Sequence, residues 1–532
     1  MKSWRLPFLI AALIAMKSVF LAFFVIPPAD IPDESGHYAY VKDIASGNFF
    51  PLLGRSTIPN DLWMDAPPNK AESPVLPRNN YIVQHPPLYY AAAAIPYALA
   101  RAATDDRWYH IRFTRLVSAL SLGLAVLVLF RTFQDLGLQK NQSILLASSI
   151  AFIPTLSNLS AGITNDIFLL LLCALATLHL VRFVLHQRIA DAYSTALWLT
   201  MAGATKMTAW IMIAGYVAIM LYELEVPWRR WLLHAVGISM VAFAAPAWWM
   251  LRNFVNFGTP FYIGIDTPPL ALPDATVLQF LSSEPFFYFI WVHFYALFGF
   301  SGYCQTPELI HLCVGTQITH VNNEPFFGFL MITAAVALVV ALYILKSFPK
   351  KQILRDPGQR DPSLHAFIEN SLARTPGFFM PLLGISAVFA GALFFIAGFL
   401  HLYRQPGFFA GYMVSFLTLL PVLLAPLSLV VLASTSNART RLVQYGLLVF
   451  LLFGILFIRQ AHIAYVIIGE MRGVQGRYFF SYLPIMLVSA AIALQSIKFR
   501  SQHFLWVLIL LVLAETYTYV QHVIPFFEAV RL

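Results

Sequence analysis

Charged residues are scarce in this 532-residue chain: Asp, Glu, Lys and Arg together make 11%, against 59% for the hydrophobic types. Soluble domains carry roughly 25% charged residues, so a water-soluble globular protein is excluded. Cysteine is rarer still, with three in all, too few in any one loop for a structural zinc site of finger spacing. Apolar–polar alternation over long stretches is lacking, which excludes a closed transmembrane barrel. No internal repeat and no low-complexity tract occurs. Acidic residues are fewer than basic ones, leaving a net charge of +9. Such an excess can mark nucleic-acid binding, but here its distribution gives another explanation.

What the chain has is a succession of apolar runs of roughly 20 residues, the length that crosses hydrocarbon. About thirteen spans are expected by that length, near 7–26, 113–130, 142–158, 167–185, 192–204, 207–222, 232–250, 326–345, 378–400, 411–433, 442–458, 478–497 and 504–520. The fold class is therefore all-α, a polytopic transmembrane helical bundle. The first run is followed by no small-residue cleavage site and reads as a helix that stays, not a signal peptide. Lys2 and Arg5 put the N-terminus in the cytoplasm, and the remaining Lys and Arg then concentrate in cytoplasmic loops. Membrane topology thus accounts for the positive charge, and no nucleic-acid partner is implied. The uncharged aromatic run Phe286 to Phe300 reads as an interfacial helix, since a crossing there would put the basic loop 347–376 outside.

Three units follow: a module 1–260 that includes a first outer loop 27–112, an outer loop 261–325, and a C-terminal transmembrane module 326–532. The first outer loop is rich in proline and asparagine over Pro51 to Pro87, with helical flanks at 34–46 and 87–102. Cys173 lies inside a span and reads as packing. Cys304 and Cys313 share the second outer loop, where an oxidising environment predicts that they pair.

The segment Pro32-Asp33-Glu34-Ser35-Gly36-His37 opens the first outer loop just past the first span. A proline followed by two carboxylates can cap a helix. One carboxylate suffices for that, so the second is available for acid–base work at the membrane surface. Charges in or near a bilayer are costly and each needs a reason. Lys206 lies in a turn between two short spans, Arg252 follows Trp248 and Trp249 at an outer end, and Arg477 follows Gln475-Gly476 and precedes Tyr478. Each reads either as an interfacial anchor or as a cation for a lipid phosphate. Asp166 opens a helix after Asn165, either as a favourable N-terminal charge or as a second site carboxylate. Arg112 and Arg115 read as anchors. Lys17, in mid-span, reads as structurally paired. His85 reads as a turn histidine or a substrate contact.

In this order the residues resemble the GT-C superfamily of membrane glycosyltransferases, which includes protein O-mannosyltransferases, oligosaccharyltransferases and the lipid A aminoarabinose transferase. The likeness is closer to a bacterial family of predicted membrane proteins within that group. It is carried by Pro32 to His37, His85-Pro86-Pro87-Leu88-Tyr89-Tyr90, Asn165-Asp166, Thr205-Lys206, Leu251-Arg252-Asn253 with Gly258 and Pro260, and Gln475 to Tyr478. The resemblance implies a bundle of GT-C type in the bacterial inner membrane with its active site on the periplasmic face. It implies an inverting glycosyl transfer from a polyprenyl-phosphate-sugar to a glycan, glycolipid or protein of the cell envelope. Asp33, Glu34 and Asp166 would be catalytic, with Asp33 the base. Lys206, Arg252 and Arg477 would bind the donor phosphate, supported by His37, His85, Tyr89, Asn253, Gln475 and Tyr478. No cofactor is required; a divalent metal on Asp33, Glu34, Asp166 and His37 is an open alternative. Two other functions use the same outer cations: a transporter or flippase of a lipid-linked phosphate or sugar, and a glycan polymerase or ligase. Transporters usually carry repeats, which this chain lacks.

Overall fold

The computed structural model describes residues 4–28, 30–59, 78–261, 271–283, 438–469, 474–495 and 501–525, with a few single positions besides. Helix α1 (Arg5–Phe20) continues as a π-helical turn over Leu21–Val25 and stops where Pro27 and Pro28 end the pattern. The first loop then folds as α2 (Glu34–Ala45), a ribbon of β1 (Thr57–Ile58) with β2 (Arg78–Asn79), a 3-10 turn Tyr81–Gln84, α3 (Leu88–Ala103) and α4 (Arg107–Thr114). Both helical flanks expected in that loop are present. The antiparallel ribbon, pairing Thr57 with Asn79 and Ile58 with Arg78, is a small departure from an all-α fold.

Next come α5 (Leu116–Asp135), α6 (Lys140–Ser149), α7 (Pro154–Ser160), α8 (Asn165–His186), α9 (Ile189–Gly203), α10 (Ala209–Glu223), α11 (Trp228–Phe257) and α12 (Val277–Ser283). In the C-terminal part the structure describes α13 (Ala438–Ile468), a 3-10 turn Gly476–Tyr482, α14 (Leu483–Gln495) and α15 (Ser501–Thr518). Among the described residues, five helical segments are long and apolar enough to cross a membrane, at Arg5–Val25, Arg107–Asp135, Asn165–His186, Trp228–Phe257 and Arg441–Ile467. The chain is a multi-pass membrane protein. The span expected at 142–158 is not one helix: α6 and α7 are separated by a 3-10 turn, Ile150–Phe152. Pro154, at the start of α7, has no N–H for the preceding turn, and its ring would clash with a continuing helix.

Helix α8 is buried along most of its length and packs between α5 and α9. Gly123 lets α5 close on α1, because a Cβ there would lie 2.7 Å from the Ala11 carbonyl oxygen. Lys17 is paired as expected: its Nζ donates to Glu515 Oε1 of α15 at 2.7 Å and to the Ala151 carbonyl at 2.7 Å. Cys173 is buried and free within α8. The spans at 326–345, 378–400 and 411–433, nearly all of the interfacial segment 286–300, the loop 347–376, and Cys304 and Cys313 lie outside the described residues.

Candidate active site

The Pro-Asp-Glu turn sends its two carboxylates in different directions. Asp33 takes the left-handed conformation, φ 65° and ψ 7°. This region costs a side-chain-bearing residue about 1–3 kcal/mol, and Asp tolerates it better than most. Asp33 stands at the N-cap position of α2 but makes no capping hydrogen bond. Its carboxylate instead accepts from Tyr81 Oη and from Arg477 Nη2.

Glu34 points into the protein. Its Oε1 accepts from Arg115 Nε at 2.8 Å and from the Ile163 amide at 2.8 Å, and its Oε2 accepts from Arg115 Nη2 at 2.7 Å. Arg115 Nη1 donates to the carbonyls of Ala22 (2.9 Å) and Ile26 (2.8 Å), and Nη2 to that of Pro27 (2.7 Å). A guanidinium has five N–H donors, and these five bonds use them all. The pair is sealed, with side-chain exposures of 0% for Arg115 and 1% for Glu34. Two expectations are corrected here. Glu34 is not a free acid beside Asp33, because both its oxygens are committed. Arg115 is no interfacial anchor: it ties the end of α1 to the start of α2. Arg112, half-buried with its guanidinium over the Tyr109 ring at 5.8 Å, keeps a position compatible with anchoring.

Asp166 joins Asp33 from another part of the chain. Thr164 caps α8 by accepting from the Asp166 amide at 3.3 Å, which fixes the carboxylate at the helix mouth. Lys206 Nζ, in the turn after α9, donates to Asp166 Oδ1 at 2.6 Å and lies 4.8 Å above the Tyr478 ring. Arg477 Nε is 3.7 Å from Asp166 Oδ2, so one guanidinium stands between the two carboxylates. Two formal negative and two positive charges sum to zero. Arg477 is buried, and its Nε and Nη1 have no hydrogen-bond partner among the described residues.

The remaining residues form the wall. His37 Nδ1 is 2.9 Å from Tyr90 Oη, and Asn165 Nδ2 donates to the same hydroxyl at 3.2 Å. His85 Nδ1 and Asn165 Oδ1 are buried without a partner among the described residues. Tyr89 is held by Ser118, Oη to Oγ 3.2 Å, behind Tyr90. Gln475 contributes its carbonyl to the Tyr478 amide at 3.2 Å. Arg252 does not join the other two cations. Its guanidinium stacks on Trp249 at 4.3 Å and donates to the Pro51 carbonyl at 2.7 Å and to Asn253 Oδ1 at 3.0 Å. Asn253 itself donates to the Pro260 carbonyl at 3.3 Å. Phe50, whose carbonyl lies 3.4 Å from Arg252 Nη2, lines an apolar cavity of about 230 Å³ together with Pro86, Pro87, Ala204 and Trp248. A second cavity, of about 440 Å³, shares Ile44, Phe49 and Ala91 with the first and runs on along α3 to Leu99.

Burial alone would raise the Asp33 carboxyl, but Arg477, Tyr81 and His37 together lower it from 3.8 to about 2. Burial lowers the His37 ring from 6.5 to about 3, helped by Lys206 and Arg477 and opposed by Asp33 and Asp166. Burial likewise holds His85 well below its ordinary value, with Lys206 and His37 adding to the effect. The site at neutral pH therefore has an ionised Asp33 and neutral imidazoles. Of the residues considered for a divalent metal, Glu34 is turned to Arg115 and the two aspartates face Lys206 and Arg477. Among the described residues no three metal-ligating side chains gather. Sequence reasoning missed Tyr81 and Tyr90. Tyr81 sits in an irregular loop with nothing to mark it, whereas Tyr90 belongs to the Pro-Pro-Leu-Tyr-Tyr stretch and was overlooked beside Tyr89.

Residues 84–249 match a family described as dolichyl-phosphate-mannose-protein mannosyltransferase. The matched segment is less than half of the chain. It carries His85, Tyr89, Tyr90, Asn165, Asp166 and Lys206, and it agrees with the expected enzyme class, a membrane glycosyltransferase. Among solved structures the chain is similar to ArnT from Cupriavidus metallidurans, both in the apo state and bound to undecaprenyl phosphate. Each comparison has 16% identity and covers 92% of this chain and 77% of that one, with TM-scores of 0.33 and 0.34. It is also similar to the archaeal oligosaccharyltransferase AglB from Archaeoglobus fulgidus, in complex with an inhibitory peptide and a dolichol-phosphate. There the identity is 13% and the TM-score 0.42, covering 98% of this chain but 56% of that one. A search of curated proteins gives no match.

Proposed function

We propose that this chain transfers a sugar from a polyprenyl-phosphate-linked donor to an acceptor hydroxyl on the outer face of the bacterial inner membrane, with inversion at the anomeric carbon. The observation that carries the proposal is the guanidinium of Arg477. It holds Asp33 through Nη2 and leaves Nε and Nη1 buried and without a hydrogen-bond partner among the described residues, beside the Lys206–Asp166 pair. Unused donors in a buried pocket are costly unless an anion completes them, and a donor phosphate supplies the oxygens. Base and leaving group are then held by one side chain.

The acceptor hydroxyl attacks the anomeric carbon while Asp33 takes its proton. The bond from that carbon to the phosphate oxygen breaks, and the electron pair leaves with the lipid phosphate, whose growing charge meets Lys206 and Arg477. A carboxylate at about 2 is a weak base. The arriving phosphate shares Arg477 and weakens its hold on Asp33, which raises the basicity when the donor is in place. The apolar cavities along α3 suit the prenyl chain. The acceptor is a glycan, glycolipid or protein of the envelope.

The test is Asp33→Asn with a radiolabelled polyprenyl-phosphate-sugar in detergent. Transfer falls by roughly 10²- to 10⁴-fold, the usual contribution of a general base, while donor binding is retained. More than about a tenth of the wild-type rate would remove Asp33 from the role.

A further inference from the structure

Phosphate chemistry uses the open Nε and Nη1 donors of Arg477, but two other buried polar atoms near the same carboxylates stay unexplained. These are His85 Nδ1 and Asn165 Oδ1, neither of which has a partner among the described residues. They meet through the same tyrosines. Asn165 donates to Tyr90 Oη, which also meets His37 Nδ1. Tyr40, whose hydroxyl donates to the His85 carbonyl at 3.2 Å, stacks on the Tyr90 ring at 3.9 Å. Both side chains are fixed from behind. Asn165 is the first residue of α8, with its amide nitrogen tied to Tyr90. His85 is followed by Pro86 and Pro87, which hold the backbone extended. A buried amide oxygen left without a donor costs about 1–3 kcal/mol, so a fixed, unfilled pair beside a phosphate site points to ligand hydroxyls.

We infer that His85 and Asn165 read hydroxyl groups of the transferred sugar. The inference rests on the donor-binding reading above. A hydroxyl both donates and accepts, so it satisfies Asn165 Oδ1 as a donor and His85 Nδ1 in either tautomer.

The test measures binding of two probes to the full chain in detergent: polyprenyl phosphate without sugar, and the same lipid bearing mannose. Wild type is expected to bind the mannosyl lipid about tenfold or more tightly than the bare lipid, the scale of one or two neutral hydrogen bonds. Asn165→Ala and His85→Ala each lose most of that preference and keep the bare-lipid affinity, which also shows that the variants fold. Preference retained in both variants overturns the assignment. So does a parallel loss of bare-lipid and mannosyl-lipid affinity, which would make these residues phosphate or folding determinants. Failure of wild type to bind even the bare lipid phosphate is a different result, and it overturns the donor-binding reading itself.

Discussion

Two buried arginines stand on either side of one turn, and they do opposite things. Beneath the Pro-Asp-Glu turn, Arg115 spends all five N–H donors on Glu34 and three backbone carbonyls. Above it, Arg477 bonds Asp33 and leaves Nε and Nη1 without a hydrogen-bond partner among the described residues. The residue types and the degree of burial are alike, and what differs is completeness. A saturated ion pair is structure: it staples the end of α1 to the start of α2 and fixes where Asp33 stands. An unsaturated one is held ready for something else. Adjacent carboxylates thus belong to different regions, one to the scaffold and the other to the pocket.

The largest expected effect tests the pocket side and is the loss of transfer in Asp33→Asn. The matching change below the turn should reverse the pattern. Arg115→Met leaves Glu34 charged and buried, which costs about 3–5 kcal/mol where one partner of a buried pair is removed. A denaturation midpoint in detergent checks it. Adding Glu34→Gln to that variant should recover much of the loss. If Arg115→Met is no less stable than wild type, the pair is not the staple described. Next is Arg477→Met. It should abolish binding of polyprenyl phosphate yet destabilise less than Arg115→Met, because Asp33 is 26% exposed and Asp166 keeps Lys206. Equal destabilisation by the two would erase the distinction between them.

A smaller effect is the pH dependence of stability. The folded protein protonates His37 only near 3, whereas the unfolded chain does so near 6.5. The unfolded state binds more protons across that window, so stability rises with pH through it and is lost as pH falls from 6.5 toward 3. Asp33, lowered from 3.8 to about 2, adds a further loss between those values. His85 contributes in the same direction as His37. His37→Gln should make the decline below pH 6.5 shallower, as midpoints at several pH values will show; an unchanged slope would mean that His37 is protonated in the fold. The smallest effect is expected at Arg252. Its stacking on Trp249 is worth about 0.5–1 kcal/mol at a partly exposed site, so Arg252→Gln should raise the donor KM a few-fold and leave kcat close to wild type. A loss as large as that of Asp33→Asn would put Arg252 back with the phosphate cations.

The pattern of apolar runs was enough to read the helical class and most of the described spans, because hydrocarbon thickness leaves little choice of length. It was also enough to flag Asp33, Asp166, Lys206 and Arg477, since a charge at a membrane boundary needs a reason wherever it lies. Lys17 was legible as a paired residue on the same ground. The break before Pro154 was misread because an apolar count ignores the missing N–H. Which charges meet was not legible. Glu34 and Arg115 are 81 residues apart, and Asp33 and Arg477 are 444 apart. Local sequence holds no record of the left-handed turn at Asp33 that sends neighbouring carboxylates apart. The helix-mouth placement of Asp166 comes from Thr164, two residues away, but its partner Lys206 comes from the packing of α8 on α9. Arg252 has the same sequence credentials as Arg477, and tertiary structure separated them, because the Pro51 carbonyl and the Trp249 ring offered Arg252 other partners. Composition and periodicity determined that this chain lives in a membrane and where its costly charges lie. Three-dimensional packing alone decided which of those charges cancel and which are left open to a ligand, because satisfaction of a buried polar group depends on every neighbour at once.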